Sequence, residues 1–145
     1  VLNEENETIM NQYKNNSIDN CSKAMPYYLT AHENFLISND FFEKTKSYTS
    51  YDNYLKLISM YVNLTDVGAQ VTMLRYNASL YLKRIVENIT YVNGSSYLGN
   101  SSSELLDLFN FTMESYGLLA GAYEDIQDDI DEYDIKGFST IREPN

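Results

Sequence analysis

The sequence predicts an all-α protein, an antiparallel up-and-down helical bundle whose helices pack along coiled-coil-like heptad seams. Two long stretches carry apolar or aromatic residues at alternating steps of three and four, which is the period of a packed helix. Short polar segments separate the stretches, and short connections favour antiparallel neighbours. Of the 145 residues, 43 % are hydrophobic, which is enough for a packed core.

The clearest seam lies in the middle of the chain. Ten of its eleven positions are apolar or aromatic. They are Leu57, Met60, Leu64, Val67, Val71, Leu74, Ala78, Tyr81, Ile85, Asn88 and Val92. The seam predicts one helix over residues 57–92. Asn93-Gly94 ends it, because this dipeptide favours positive φ and a turn.

A second seam follows the Ser-rich segment 95–103, which we predict to be a loop. Its positions are Leu105, Phe109, Thr112, Tyr116, Leu119, Tyr123, Ile126, Ile130, Tyr133 and Gly137. Ser101–Ser103 supply N-cap hydroxyls, and Lys136 with Gly137 supplies the matching signals for the C-terminus. The pattern predicts a helix over residues 105–137.

The first third of the chain is less regular. A weaker seam predicts a helix over residues 22–47, with Pro26 in its first turn, where a missing N–H costs little. Its positions are Tyr28, Ala31, Phe35, Ser38, Phe42, Thr45 and Thr49. The polar segment 14–21 indicates a break, and residues 4–18 form a fourth, short helix if Ile9 and Tyr13 pack. We therefore predict three long helices with this short N-terminal one. Residues 1–145 then make a single domain, with an extended tail at 138–145.

Composition excludes several function classes. The formal net charge is −11, which disfavours nucleic-acid binding. One Cys and one His cannot build a zinc site of the usual kind or an intramolecular disulfide. Cys21 and His32 do not form a recognisable catalytic pair, and the acidic run 124–134 lacks the Gly of a calcium loop. We predict no catalytic residues, no metal, no cofactor and no enzyme activity.

The strongest indication of location is the Asn-x-Ser/Thr sequon, an acceptor for N-glycosylation. The chain contains nine, whereas its 16 Asn and 23 Ser or Thr would produce roughly two or three by random placement. Asn88 occupies a seam position and is predicted to be a buried polar residue that sets helix register. The remaining candidate glycosylation sites are Asn6, Asn15, Asn20, Asn63, Asn77, Asn93, Asn100 and Asn110.

Fourteen Tyr residues exceed what the seams use, and Tyr is favoured at recognition surfaces. A groove between helices is therefore a candidate ligand site. Arg75, Gln70 and Tyr76 flank the central seam and are candidate contacts for an anionic ligand. Packing and solvation of the helix surface are the alternative roles for these residues.

Two functions fit these features. The first is an extracytoplasmic sensing or ligand-recognition domain of a membrane-anchored prokaryotic, archaeal-like surface receptor, with the anchor outside this fragment. The second is a structural, adhesion or protein-interaction module of a cell-surface glycoprotein without a small ligand. The single Cys favours a prokaryotic surface, because small secreted eukaryotic domains are usually rich in disulfides. A small ligand, a protein partner or a homodimer is compatible with either function.

Overall fold

The computed structural model describes residues 2–100 and 102–133, and helix accounts for 87 % of them. This part of the chain contains three α-helices: α1 (Leu2–Thr45), α2 (Asp52–Glu87) and α3 (Ser102–Glu132). A short 3₁₀ helix at Lys46–Tyr48 follows α1. The predicted all-α class is confirmed in this broad form. Among the described residues, no helix is both long enough and apolar enough to cross a membrane.

The first helix continues through the segment that was predicted to break it. The prediction of a separate short helix at residues 4–18 was wrong, because residues 14–21 are helical and join it to the rest of α1. Pro26 accordingly lies inside α1 and not in a first turn. Half-buried side chains recur at helical spacing through this segment, whereas Ile9 and Tyr13 are 43 % and 65 % exposed. Packing along this stripe offsets the polar composition and the cost of an internal proline, about 3 kcal/mol.

The second helix begins and ends earlier than predicted, and a β-hairpin replaces its predicted last turn. α2 ends at Glu87, and β1 (Ile89–Val92) pairs antiparallel with β2 (Ser95–Leu98). Asn93 and Gly94 form the two-residue turn with φ of 51° and 77°. Asn-Gly between β-branched and aromatic residues is the typical hairpin sequence, so the helical assignment up to Val92 and the loop assignment at 95–98 were wrong.

Side chains from two elements hold the end of α2. The Lys14 ammonium of α1 donates to the carbonyl oxygens of Glu87 at 3.1 Å and Ile89 at 2.6 Å. A cation at a helix C-terminus interacts favourably with the helix dipole. Asn88 is half-buried, and its amide donates to the carbonyl of Arg84 at 2.9 Å. The Asn88 amide therefore caps its own helix.

The third helix follows its predicted seam closely. Every described seam position of α3, from Leu105 to Tyr133, is buried or half-buried. The helix ends at Glu132. Lys136, Gly137 and the predicted extended tail at 138–145 lie outside the described residues. The acidic side chains described between 124 and 132 are all exposed, as expected for a solvated helix surface.

The chain divides into two compact units, and all three helices contribute to both. Unit 1 comprises the chain up to Thr30 together with Thr72–Gly117, and so includes the hairpin. Unit 2 comprises Ala31–Val71 and the chain from Leu118 onward.

In unit 2, polar and aromatic side chains of α1 contact α2 directly. The Nδ1–H of His32 donates to the carbonyl of Ala69 at 2.7 Å. The amide of Asn39 donates to the carbonyl of Val62 at 2.9 Å and to the Thr65 hydroxyl at 3.1 Å. Each polar group that leaves water here gains a partner, which avoids the cost of burying it alone.

Two helices of unit 2 approach each other closely at Gly68. A Cβ atom at this position would lie 2.5 Å from Cε1 of Phe35. The Phe35 ring also makes an edge-to-face contact with Tyr123 of α3, with ring centroids 6.0 Å apart. Phe35 therefore contacts both other helices, and the contact with α2 requires glycine.

Candidate functional site

The candidate site is a cavity of about 340 Å³ that lies entirely within unit 1. All three helices line it, and most of the lining is apolar. The lining residues are Tyr28, Arg75, Ala78, Ser79, Leu82, Phe109, Met113 and Tyr116. Helical spacing explains the set, because steps of three and four place Arg75, Ala78, Ser79 and Leu82 on one face of α2.

Arg75 carries the only formal charge among these lining residues. Its guanidinium donates a hydrogen bond to the Tyr116 hydroxyl and lies 4.9 Å from the centroid of that ring. The Tyr28 ring is also near, at 5.9 Å. A guanidinium at such distances from an aromatic face gains about 0.5–1 kcal/mol at an exposed site. Two tyrosines therefore orient this side chain.

The hydrogen bond to Tyr116 raises the pKa of the Arg75 guanidinium above its ordinary value, although partial burial opposes the shift. Arginine is already protonated at all relevant pH values, so the raised pKa further stabilises the charged form and does not change the charge. A guanidinium has five N–H donors, more than two tyrosine hydroxyls can accept singly. The planar fork matches the geometry of a carboxylate or phosphate.

The other predicted groove contacts do not lie at this cavity. Gln70 is exposed, and its amide donates to the carboxylate of Asp66 at 3.1 Å within unit 2. Tyr76 is half-buried and does not line the cavity. Of the three candidates, the structure brings only Arg75 to a concave site. The sequence did not predict that Tyr28 and Tyr116 contact Arg75, because a seam does not reveal which residues meet across helices.

Unit 2 contains a different cavity, of about 380 Å³, near the junction of α1, the 3₁₀ helix and α2. Its lining is almost wholly apolar and rich in aromatic rings. The lining residues are Phe41, Phe42, Thr45, Tyr48, Thr49, Tyr54, Leu57, Ile58 and Tyr61. Phe42 and Tyr61 stack with centroids 5.0 Å apart and planes 14° apart. The lining of this cavity contains no charged side chain.

Most of the candidate glycosylation sites are exposed. Asn6, Asn15, Asn20, Asn63, Asn93, Asn100 and Asn110 all reach solvent, whereas Asn77 is half-buried. Seven of the eight candidate acceptors are therefore exposed residues in the folded chain. Asn88, the acceptor of the remaining sequon, is half-buried, and its amide donates to the Arg84 carbonyl at the end of α2.

The lone thiol has the properties of a packing residue. Cys21 is unpaired and half-buried. Burial raises the pKa of its thiol, with a smaller opposing effect from Lys83. A raised pKa lowers the thiolate fraction and hence the nucleophilicity at neutral pH. Within residues 2–100 and 102–133, no group of three or more His, Cys, Asp and Glu side chains is arranged to hold a metal ion.

Comparison of the chain with protein-family models, curated proteins and solved structures found no match in any of the three.

Proposed function

We propose that this protein is a ligand-recognition domain of a surface receptor, and that the unit 1 cavity binds a small anion with an apolar body. The observation that carries the proposal is Arg75. It is a cation oriented by Tyr28 and Tyr116 at the edge of an otherwise apolar cavity. Sites for small molecules combine an apolar lining with a few oriented polar groups in just this way.

The size and chemistry of the cavity define the ligand class. A volume of about 340 Å³ falls at the lower end of the usual range for ligand pockets. Phe109, Met113 and Leu82 offer apolar contact, and Met adapts to irregular shapes. Arg75 would pair with a carboxylate through two parallel hydrogen bonds. We therefore propose a small aromatic or aliphatic carboxylate.

An antiparallel up-and-down bundle is part of this proposal. Within unit 2, His32 contacts Ala69, whereas Phe42, later in α1, contacts Tyr61, earlier in α2. Contacts within unit 1 descend along α2 in the same order. A ligand held by residues from three helices would change their packing, and small helix shifts can carry a signal.

The proposed location is the extracytoplasmic surface of a prokaryotic cell. The excess of sequons supports it, and so does the exposure of seven candidate Asn side chains. We propose that the domain is not an enzyme, binds no nucleic acid and belongs to a membrane-anchored protein that is able to form a homodimer. Intact-mass measurement on native material tests this location. We expect heterogeneous mass added by glycans, and the mass of the bare polypeptide would contradict the proposed location.

A second candidate function is a cell-surface structural, adhesion or protein-interaction module without a small ligand. Exposed large apolar side chains favour it, including Phe111 in unit 1 and Ile37 and Phe41 in unit 2. Single exposed apolar residues are common on monomers, so these residues carry less weight than an oriented cation in a cavity.

Thermal denaturation with defined probes tests the ligand proposal. Phenylacetate, indole-3-acetate and hexanoate are each compared with the corresponding neutral amide. We expect at least one acid to raise the melting temperature and its amide to do so far less. Ligand at about 100 times its Kd stabilises by about 2.7 kcal/mol. Binding should weaken only below about pH 5, where the carboxylate is protonated, because Arg75 stays charged.

Matched variants assign the effect to the site. Arg75→Met keeps the length of the side chain but removes its charge, and we expect it to abolish the stabilisation by the acid. Arg84→Met makes the same charge change at another exposed position of α2 that does not line the cavity. Equal stabilisation of both variants, or of acid and amide, would refute the proposed anion site.

A further inference from the structure

Most of the buried polar residues that the structure describes are the Ser or Thr of a sequon. Four polar residues are buried in the described chain: Thr65, Thr72, Ser102 and Thr112. Three of them are the hydroxyl residues of sequons whose Asn is exposed. These pairs are Asn63 with Thr65, Asn100 with Ser102, and Asn110 with Thr112. In these three sequons the Asn is accessible to solvent, whereas the Ser or Thr two residues later is buried.

Helix geometry explains the two sites within helices. Successive residues turn by about 100°, so a residue and its second neighbour point to nearly opposite sides. At Asn63 and Asn110 the Asn faces solvent, and the hydroxyl two residues later lies against the core. Thr65 and Thr112 are accordingly only 5 % exposed. At these two sites the helix exposes the Asn and buries the hydroxyl, whereas Asn6 with Thr8 and Asn15 with Ser17 in α1 are exposed at both positions.

The two threonine hydroxyls also have hydrogen-bond partners in the folded protein. The Thr65 hydroxyl donates to the carbonyl of Tyr61 at 2.9 Å and accepts from the amide of Asn39 at 3.1 Å. The Thr112 hydroxyl donates to the carbonyl of Leu108 at 2.7 Å. Ser102 is 2 % exposed at the start of α3, and its hydroxyl has no partner within the described residues.

The sequon in the hairpin differs from these three. Asn93 and Ser95 are both exposed, and Asn93 belongs to the tight turn with positive φ. The turn lies between two strands rather than within a helix. Both halves of this motif are therefore accessible in the folded protein.

The chemistry of transfer requires both halves. The Asn Nδ2 attacks the anomeric carbon of a sugar linked to a lipid pyrophosphate. An N–C bond forms, the C–O bond to phosphate breaks, the pyrophosphate lipid leaves with the bonding electrons, and the amide loses one proton to a base. Because the motif demands Ser or Thr two residues on, the transferase must contact that hydroxyl as well. A buried hydroxyl prevents this contact.

We infer that folding selects the acceptor sites of this protein. Asn93 accepts a glycan on the folded chain, whereas Asn63, Asn100 and Asn110 accept one only before their helices pack. The inference rests on the surface location within the proposed function and is independent of the ligand site.

Transfer in vitro tests the inference. The full chain is produced in a host without N-glycosylation, folded, and incubated with a purified oligosaccharyltransferase and a lipid pyrophosphate-linked oligosaccharide. Synthetic peptides covering residues 60–68, 90–98, 97–105 and 107–115 serve as unfolded acceptors. Mass spectrometry of proteolytic fragments gives the initial rate of modification at each Asn.

We expect Asn93 to be modified at similar rates in the folded chain and in its peptide. At Asn63, Asn100 and Asn110 the folded chain should react at least about tenfold more slowly than the peptides, because reaction there requires local opening. Ser95→Ala, which removes an exposed hydroxyl, should abolish modification of Asn93 and leave the other sites unchanged. Equal rates in folded chain and peptide at Asn63 and Asn110 would overturn the inference, as would peptides that are not modified.

The outcomes separate this inference from the proposed function. A bare native protein would contradict the surface location, while the rates measured in vitro would still decide whether folding selects sites. Failure of the carboxylate probes would contradict the ligand proposal and leave both results on glycosylation intact.

Discussion

The two units use polar side chains in contrasting ways. In unit 2, His32 and Asn39 of α1 each donate to acceptors on α2, and the cavity has almost no polar lining. In unit 1, Arg75 pairs with tyrosines and still presents a charged fork at a cavity. A polar group whose bonds are all made within the protein stabilises packing, whereas an oriented cation with donors to spare can bind a ligand.

In a helical protein without recognisable motifs, a polar group with unused hydrogen-bonding capacity at a cavity is the better indicator of function. Paired polar groups such as Asn39 are expected to matter for stability, and Arg75 is expected to matter for binding. Mutations should therefore separate into two classes, one that lowers stability and one that lowers ligand binding.

Gly68→Ala should be the most destabilising of these changes, since the added methyl group would collide with the Phe35 ring. Overpacking of this kind typically costs about 1–3 kcal/mol, and we expect about 2–3 kcal/mol. Urea denaturation followed by circular dichroism measures the change. Adding Phe35→Leu should recover part of the loss, because it removes the colliding ring.

Gly121→Ala is the matched control for Gly68→Ala. Gly121 lies in α3 of unit 2, and a Cβ there would meet nothing within 4 Å. At an exposed position inside a helix, alanine is more stabilising than glycine by about 0.5–1 kcal/mol. This variant should therefore be more stable than the parent. Destabilisation of both variants by the same amount would contradict the close approach at Gly68.

Asn39→Leu tests the polar links of unit 2. It removes the donor to the Val62 carbonyl and to the Thr65 hydroxyl, and we expect a loss of about 1–2 kcal/mol. Gln70→Leu, at an exposed pair on α2, should change stability by less than about 0.5 kcal/mol. Asn39→Leu should still bind the carboxylate probes at temperatures where it stays folded. Loss of that binding would contradict the assignment of stability to Asn39 and of ligand binding to Arg75.

Lys14→Met tests a polar link in unit 1. The ammonium group donates to two carbonyls at the end of α2, and methionine keeps the length of the side chain without these bonds. We expect a loss of about 1 kcal/mol and faster hydrogen exchange in the hairpin. Lys23→Met, which removes an exposed pair with Asp19, should cost no more than about 0.5 kcal/mol.

The Cys21 thiol should produce the smallest effect. Burial raises its pKa in the folded protein, so folding favours the protonated thiol. This contribution to stability is present below the ordinary thiol pKa and is lost as pH rises through the raised value. Alkylation by iodoacetamide at neutral pH should be slower in the folded chain than in urea. Equal rates would contradict the protected thiol.

Sequence periodicity predicted α3 well because its apolar residues are spaced regularly and interrupted little. It failed at residues 14–21, where polar composition suggested a break although the segment packs along one stripe. It also failed at Ile89–Val92, where four residues continue the helical seam and equally suit a strand. Such short segments are decided by tertiary contacts, among them the Lys14 bonds to Glu87 and Ile89.

Composition and helical periodicity were sufficient to predict the helical class, the net charge and the positions of the nine sequons. These properties depend on composition and on the period of a single helix. Only the tertiary structure decided that Arg75 meets Tyr28 and Tyr116, and that Thr65 and Thr112 turn their hydroxyls inward. The reason is physical: a helical period defines which residues share a face, whereas the neighbours of that face depend on the packing of separate helices.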